Sequence, residues 1–254
     1  MIFDTHSHYD DSAFDEDRDL LLSSLKEKNV EKVISCGAAW DSFEKIKEIC
    51  GKYNFCYPAL GIHPEEAYGL TEERKPLFEK YIQEMHPVAI GEIGLDYHEN
   101  EVPKEVQREL FIYQLNLASK YNLPVIIHSR DAAEETMEII KEHLPEKKGV
   151  IHCFSSSYEM AVEYIKMGFY IGIGGVVTFK NGVRLKEVAA KIPLSSILIE
   201  TDCPYMAPVP FRGKRNDSTL LSYVVEEIAS LRGITPKEVI DSTTENACKL
   251  FNIR

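Results

Sequence analysis

The sequence lacks any apolar run that could cross a membrane. Apolar residues make up 44% of the 254 residues, but they nowhere form a stretch of about 18 positions, the minimum for a membrane-spanning helix. The first residues also lack the basic segment and the following apolar segment that characterise a signal peptide. We therefore expect a cytoplasmic protein that does not associate with membranes.

Positive charge is also scarce. The chain has 29 Lys and Arg residues against 41 Asp and Glu residues, which gives a formal net charge of −12. This balance excludes broad, sequence-independent adhesion to nucleic acid through a basic surface. It does not exclude a nucleic-acid substrate, because bound cations and a few local basic groups can receive a phosphate in a cleft.

The six cysteines lack the C-x-x-C spacing of redox and zinc sites. In a cytosolic chain of this size they are expected to be free thiols. Cys153 and Cys203 each follow a candidate metal ligand directly, and we interpret them as packing residues beside the site.

The chain also lacks linkers, low-complexity segments and blocks of like charge, so we expect one domain over residues 1–254. Short β-rich runs alternate with longer helical patterns, which indicates parallel βα units. Eight such pairs followed by one more helix predict an α/β fold, a single (β/α)8 TIM barrel with an additional C-terminal helix. A doubly wound open sheet is the alternative, because periodicity cannot show closure. The predicted strands are 2–5, 32–36, 55–60, 88–93, 124–127, 149–151, 169–173 and 197–200. The predicted helices are 15–28, 41–53, 71–85, 104–121, 131–144, 158–167, 183–190, 219–232 and 237–251.

His6-Ser7-His8 follows the first predicted strand. Two histidines at i and i+2 on a strand project from the same face, and two converging imidazoles can bind a divalent metal. Asp4 and Asp10 flank the pair, and we interpret them as supporting or capping groups rather than ligands. One such motif alone is weak evidence for a metal site. The interpretation therefore depends on whether other predicted strands also end in ligand-type residues.

Further ligand-type residues follow the later strands. Glu92 lies in an apolar stretch, where a buried carboxylate needs a cation or a hydrogen-bonding partner. His128 and His152 each follow a β-branched run, and Asp202 follows the last strand, which lies beside the first in a closed barrel. The six candidates are too many for one tetrahedral zinc site and suit two cations that share a bridging ligand. Mixed nitrogen and oxygen ligands favour Zn²⁺ or Mn²⁺ over a pure Mg²⁺ site, and the choice among these three stays open. The candidate ligands are His6, His8, Glu92, His128, His152 and Asp202.

Other polar residues near the strand ends suggest contacts to a substrate. His63 could donate to a phosphate or act as a general acid, and Glu200 is expected to face a ligand histidine. Arg130 could bind a phosphate or form an ion pair with a nearby acid. The last strand–helix loop holds the densest basic cluster of the chain, beside aromatic residues that could stack on a base. The candidate substrate-binding residues are Arg130, Tyr205, Arg212, Lys214 and Arg215.

These motifs closely resemble those of the TatD family of metal-dependent deoxyribonucleases, which are amidohydrolase-like barrels. The matching stretches run in order through nearly the whole chain. The resemblance implies metal ligation by the six candidate ligands and hydrolysis of phosphodiesters in DNA. The chain departs from the family where Ser156 replaces a common Gly, and where 215–218 reads Arg-Asn-Asp-Ser instead of Arg-Asn-Glu-Pro. The matching stretches are 2–8, 61–64, 90–97, 123–130, 152–155 and 200–202.

We therefore hypothesise a deoxyribonuclease, with exonuclease activity, in which two divalent cations activate a water. His6, His8 and Asp202 would hold one cation, His128 and His152 would hold the other, and Glu92 would bridge them. Asp202 would also take the water proton, and His63 would act on the leaving oxygen. We expect single-stranded DNA as the substrate and a monomeric protein. The alternative within enzymes is hydrolysis of an amide, lactone or ester, and the alternative outside enzymes is a metal-dependent binding protein without catalysis.

Overall fold

The computed structural model describes residues 1–98 and 101–254. Within these residues eight strands form one sheet in the order β1 to β8. A strand order identical to the chain order, with parallel pairing between neighbours, is the arrangement of a (β/α)8 barrel. The strands are β1 Ile2–Ser7, β2 Val30–Cys36, β3 Cys56–Leu60, β4 Ala89–Asp96, β5 Val125–Arg130, β6 Gly149–Ile151, β7 Tyr170–Ile173 and β8 Ile197–Ile199.

A helix follows each strand, and one more helix follows the eighth pair. This alternation within the described residues confirms the predicted fold class, including the additional C-terminal helix. None of these helices combines the length and apolar composition needed to cross a membrane. The helices are α1 Arg18–Ser24, α2 Phe43–Lys52, α3 Lys75–Met85, α4 Lys104–Tyr121, α5 Ala133–Glu142, α6 Tyr158–Lys166, α7 Val183–Lys191, α8 Leu221–Arg232 and α9 Pro236–Phe251.

Four of the described strands are buried on both faces. Every residue of β1 and of β4 is buried, as are all residues of β6 and β8. Strands of this kind read as continuous apolar runs because both faces pack inside the protein. A polar residue within such a strand is therefore conspicuous, as with Glu92 in β4.

The chain packs as two compact units, and the first contains residues 1–34 and 152–254. In this unit the end of β1 lies beside the segment that follows β8. Ser7 forms a parallel bridge with Cys203, and the Asp202 amide donates to the His6 carbonyl oxygen at 3.0 Å. The expectation that the last strand lies beside the first is met. Whether residues 1–254 act as one domain stays a prediction.

The second unit contains residues 35–151, with β3 to β6 and helices α2 to α5. Here β4 pairs with β5 so that Gly94 is opposite His128 and Asp96 is opposite Arg130. The register shifts between Ile90 and Ile93, where the Gly91–Glu92 peptide bond is cis. A Cβ atom at Gly61 would lie 2.6 Å from the Glu92 carbonyl oxygen, so the irregular segment needs a glycine beside it.

Candidate metal centre

The first unit brings three donor atoms together at the end of β1. His6 Nε2 lies 3.0 Å from His8 Nε2, and Asp202 Oδ1 lies 3.7 Å from the first and 3.4 Å from the second. A tetrahedral cation with ligands at about 2.1 Å holds its donor atoms roughly 3.4 Å apart. The triangle therefore has the size that such a cation requires. Two imidazole nitrogens that face each other also fit a cation, because their lone pairs would otherwise repel unless one carries a proton.

His152, directly after β6, belongs to the same group of side chains. Its ring stacks on that of His6 with centroids 3.9 Å apart, and His6, His152 and Asp202 offer ligand atoms within 4.8 Å of one another. We call His6, His8, His152 and Asp202 the first donor set. The sequence predicts that His152 and His128 bind the same cation. Which of the two cations His152 binds stays a prediction.

Glu200 faces His152, and its role as a supporting group stays a prediction. Its Oε1 atom lies 3.6 Å from His152 Nδ1 and accepts a hydrogen bond from the Cys153 amide. A carboxylate beside the second ring nitrogen fixes the tautomer and orientation of a metal-binding histidine. Gly172 leaves space for this carboxylate, because a Cβ atom there would lie 2.6 Å from Glu200 Oε2.

A buried carboxylate, Asp4, connects two of the three segments that carry the first donor set, those of His6 and Asp202. Its Oδ1 atom accepts from the amides of His6 at 3.3 Å and Thr201 at 3.0 Å, and its Oδ2 atom accepts from the hydroxyls of Thr201 and Ser218, each at 2.6 Å. Burial raises the pKa of Asp4 to about 7, although these four donors act to lower it. The sequence places Asp4 beside the histidines but does not point to Thr201 and Ser218, whose contacts with Asp4 join distant parts of the chain.

Within the second unit, ligand-type side chains also gather around Glu92. His63, Glu92 and His128 offer ligand atoms within 4.8 Å of one another, and we call them the second donor set. Glu92 Oε1 lies 3.0 Å from His128 Nδ1 and 3.8 Å from His63 Nε2. The carboxylate is buried, as expected of a residue that needs a cation or a close partner.

His128 has a carboxylate beside each ring nitrogen. Asp96 Oδ2 lies 2.9 Å from Nε2, on the side opposite to Glu92. A neutral imidazole donates from one nitrogen only, so donation to Asp96 leaves the Nδ1 lone pair facing a Glu92 oxygen. A cation between these two atoms would stabilise that arrangement, and Asp96 would orient the ligand. The sequence alone assigns no role to Asp96, because its place after an apolar strand gives no further signal.

The ring of His63 accepts a hydrogen bond from the backbone. Its Nδ1 atom accepts from the Glu65 amide at 3.3 Å, and a neutral ring with Nδ1 as acceptor carries its proton on Nε2. That N–H suits a proton donor better than a metal ligand. The contact is therefore compatible with the general-acid role predicted for His63, which stays a prediction.

Charged neighbours control the ionisation of Asp202. Burial alone would raise its pKa, but hydrogen bonding from His8 and the charges of His152, His6 and His8 outweigh burial and lower the pKa. Asp202 is thus held as a carboxylate at neutral pH, the form that binds a cation or accepts a proton.

The predicted substrate-binding residues lie in different surroundings. Tyr205 is 55% exposed, with its ring 6.5 Å from that of His8 and its hydroxyl donating to Asp11 at 2.9 Å. Arg212 lies over the Phe179 ring at 4.6 Å, and Lys214 is exposed. Arg215 donates to both Asp17 carboxylate oxygens, at 2.7 and 2.6 Å.

In the second unit, Arg130 is exposed and lies 4.0 Å from Asp96 Oδ2. Both possibilities raised by the sequence, an ion pair with a nearby acid and a contact to phosphate, are open to an exposed guanidinium at this distance.

The sequence matches the family described as TatD related DNase over residues 3–252. The chain belongs to the TatD family. Metal-dependent hydrolase YabD of Bacillus subtilis (strain 168), named as uncharacterized, is 44% identical over 254 residues and aligns over the whole of both chains. Deoxyribonuclease TATDN3 of Homo sapiens is 34% identical over 265 residues, covering 98% of this chain and 94% of that protein.

A solved structure supports the same assignment. The crystal structure of YjjV, a TatD homolog from Escherichia coli K12, matches with a TM-score of 0.92 and 31% identity, and covers 100% of this chain and 98% of the other. The barrel fold and the membership of a family of metal-dependent hydrolases are thereby confirmed. The two donor sets provide groups that fit such a metal.

Proposed function

We propose that this chain uses two divalent cations to hydrolyse phosphodiester bonds of DNA, as an exonuclease that prefers single strands. The observation that carries the proposal is the spacing of the proposed ligand atoms in the two sets, with nitrogen and oxygen atoms 3.0 to 3.7 Å apart. The 34% identity to a protein named deoxyribonuclease supports DNA as the substrate. We further propose that the protein is a cytoplasmic monomer.

Each donor set would hold one cation. His6, His8 and Asp202 would bind the first, and Glu92 and His128 the second, while bridging by Glu92 stays a prediction from the sequence. When bound, the cations would lower the pKa of a water molecule and polarise a phosphoryl oxygen. The mixture of imidazole and carboxylate ligands favours Zn²⁺ or Mn²⁺ over Mg²⁺.

Two side chains of the sets would handle protons. Asp202, held as a carboxylate, would accept the proton of the attacking water as its oxygen bonds to phosphorus. His63, with its proton on Nε2, would donate to the sugar oxygen that leaves.

Residues of the loop between β8 and α8 would bind the DNA. Arg212 and Lys214 are exposed cations suited to phosphate contacts, and Arg130 and Arg215 are further candidates. Tyr205 exposes a ring close to His8, where a base could stack on it. Stacking tolerates any base, which agrees with a nuclease that is not specific for sequence.

The test is cleavage of end-labelled single-stranded and double-stranded DNA by metal-stripped protein to which Zn²⁺, Mn²⁺ or Mg²⁺ is returned. Loss of a residue that merely supports a ligand costs about 10- to 100-fold, so we expect Glu92→Gln and His128→Ala to lose at least about 100-fold in turnover. His143→Ala removes a histidine at the end of α5 and serves as the matched control, with turnover unchanged.

Either of two results would contradict the proposal. Glu92→Gln and His128→Ala could both cleave DNA at the native rate, or the native protein could show no metal-stimulated cleavage of any DNA. A parallel panel of lactones, amides and esters separates the alternative reaction class. If the protein hydrolyses these compounds but not DNA, the same residues would act on carbonyl substrates instead of phosphodiesters.

A further inference from the structure

Helix α4 carries two buried glutamines on an otherwise apolar face. Gln107 and Gln114 are 1% and 0% exposed, among buried side chains that include Leu110, Phe111 and Leu117. Seven residues correspond to about two helical turns, so both amides lie on the same face, roughly 10 Å apart along the axis. A buried amide destabilises the protein unless its donors and acceptor are satisfied. The hydrogen-bond partners of these two amides therefore indicate which parts of the structure each glutamine holds in place.

Gln114 forms two hydrogen bonds with one residue of the segment after β3. Its Oε1 atom accepts from the Ile62 amide at 2.8 Å, and its Nε2 atom donates to the Ile62 carbonyl oxygen at 3.0 Å. The peptide groups on both sides of Ile62 are thus fixed, and one of them links Ile62 to His63. The His63 amide is held in turn by the Ala38 carbonyl oxygen at 2.7 Å.

Gln107 repeats the same pattern at the end of β4. Its Oε1 atom accepts from the Asp96 amide at 2.9 Å, and its Nε2 atom donates to the carbonyl oxygens of Asp96 at 2.8 Å and Val102 at 3.1 Å. The Asp96 carboxylate lies 2.9 Å from His128 Nε2. Gln107 therefore fixes the backbone of the residue that orients His128.

We propose that Gln107 and Gln114 are positioning residues for the second donor set. Gln107 acts through Asp96 on His128, and Gln114 acts through Ile62 on His63, whose Nε2 atom lies 3.8 Å from the proposed ligand carboxylate of Glu92. Each amide supplies one acceptor and one donor to a single residue, as a neighbouring strand would, at the two places where the ligand-bearing segments leave the sheet. The inference rests on the proposed function, because it assumes that the second donor set binds a cation.

A buried asparagine elsewhere in the fold provides a matched control. Asn246 on α9 is 7% exposed, and its Nδ2 atom donates to the carbonyl oxygens of Leu194 at 2.9 Å and Ile197 at 2.8 Å. It therefore also joins a helix to strand backbone through a buried amide. Its contact is at the start of β8, at the opposite end of the strand from Asp202.

The experiment measures Zn²⁺ and Mn²⁺ binding to the metal-stripped full-length protein by calorimetry, together with the melting temperature. We expect Gln107→Met, Gln114→Met and Asn246→Leu all to lower the melting temperature, since each removes buried hydrogen bonds. Only the two glutamine variants should weaken the binding of one cation, by about 10- to 100-fold, with the other cation unaffected.

A conservative substitution should restore binding. A buried glutamic acid stays protonated and retains one acceptor and one donor, so Gln107→Glu and Gln114→Glu should bind both cations within a few-fold of the native affinity. If the methionine variants fail to fold, cation binding can still be measured in these glutamate variants.

Three results would overturn the inference. The methionine variants could bind both cations as the native protein does, or Asn246→Leu could weaken binding to the same extent, or the glutamate variants, although folded, could bind as weakly as the methionine variants. A native protein that binds no cation would refute the proposed function first, and the inference with it. Native binding of two cations with unaffected methionine variants would refute the inference alone.

Discussion

Gly172 shows how one missing side chain can support a candidate metal ligand. An alanine Cβ atom at this position would lie 2.6 Å from Glu200 Oε2, so the carboxylate would have to shift from its present place beside His152. We expect Gly172→Ala to weaken cation binding by the first donor set about 10- to 100-fold, as loss of an orienting carboxylate does. Titration calorimetry with Zn²⁺ on the metal-stripped protein measures the effect.

Gly51 provides the control for this substitution. It lies in α2, and nothing would approach its added Cβ atom within 4 Å. Gly51→Ala should leave cation binding unchanged and stabilise the helix by up to about 1 kcal/mol. Unchanged binding in Gly172→Ala, in a protein whose unfolding shows that the alanine is accommodated, would mean that Glu200 does not orient His152.

At the same scale, the sequence allowed prediction of donor residues better than of their partners. His6 and Glu92 stand out because imidazole and carboxylate groups next to apolar strands need a reason to be there. Thr201 and Ser218 carry no such signal, since hydroxyl residues are common in loops and their bonds to Asp4 depend on the folded chain. Gln107 and Gln114 could have been noticed as polar residues two turns apart on an apolar helix face.

Among the elements, the loop between β8 and α8 depends on a contact with the start of α1. Arg215 forms hydrogen bonds with both carboxylate oxygens of Asp17, which lowers the Asp17 pKa, and with the Ala13 carbonyl oxygen at 2.8 Å. The guanidinium is thus already engaged before any phosphate arrives. We expect Arg215 to act mainly by holding this loop in place.

A double-mutant comparison separates the two roles of Arg215. If the residue holds the loop, then Asp17→Ala and Arg215→Ala should raise the KM for single-stranded DNA by similar factors, and the double variant should add nothing further. Arg212→Ala, without this ion pair, should raise KM independently. If Asp17→Ala lowers KM while Arg215→Ala raises it, Arg215 binds phosphate directly.

The observed element boundaries match the predicted ones where capping residues and hydrophobic periodicity indicate the same boundary. Helix α4 begins at Lys104 and ends at Tyr121, as predicted, because its apolar repeat is long and Pro103 precedes it. Helix α3 begins at Lys75 rather than at the predicted residue 71, because Pro76 has no backbone N–H and cannot continue the hydrogen-bond pattern of the preceding turn. Strand β4 extends to Asp96, three residues beyond the prediction, through pairing with β5 that no local pattern reveals.

For the whole molecule, the order of the elements was more predictable than their pairing. Alternating patterns predict eight βα units, but periodicity does not distinguish a barrel from an open sheet. The bridge between Ser7 and Cys203 supplies the missing information, since it puts the end of the first strand beside the segment after the last. The same contact brings Asp202 to His6 and His8, which lie near the other end of the chain.

The two donor sets predict how cations affect the stability of the entire chain. A ligand that binds only the folded state stabilises it by about 2.7 kcal/mol per site at a concentration of 100 times Kd. We expect two Zn²⁺ or Mn²⁺ ions per native chain, with a melting temperature that rises on metal addition and falls with a chelator. His6→Ala, in the first set, and His128→Ala, in the second, should each retain one ion and about half of the added stability. If either variant loses both ions, the sets do not bind independently, and a native stoichiometry of one would contradict the two-cation proposal. Metal analysis of the dialysed proteins, with thermal unfolding at matched metal concentrations, distinguishes these results.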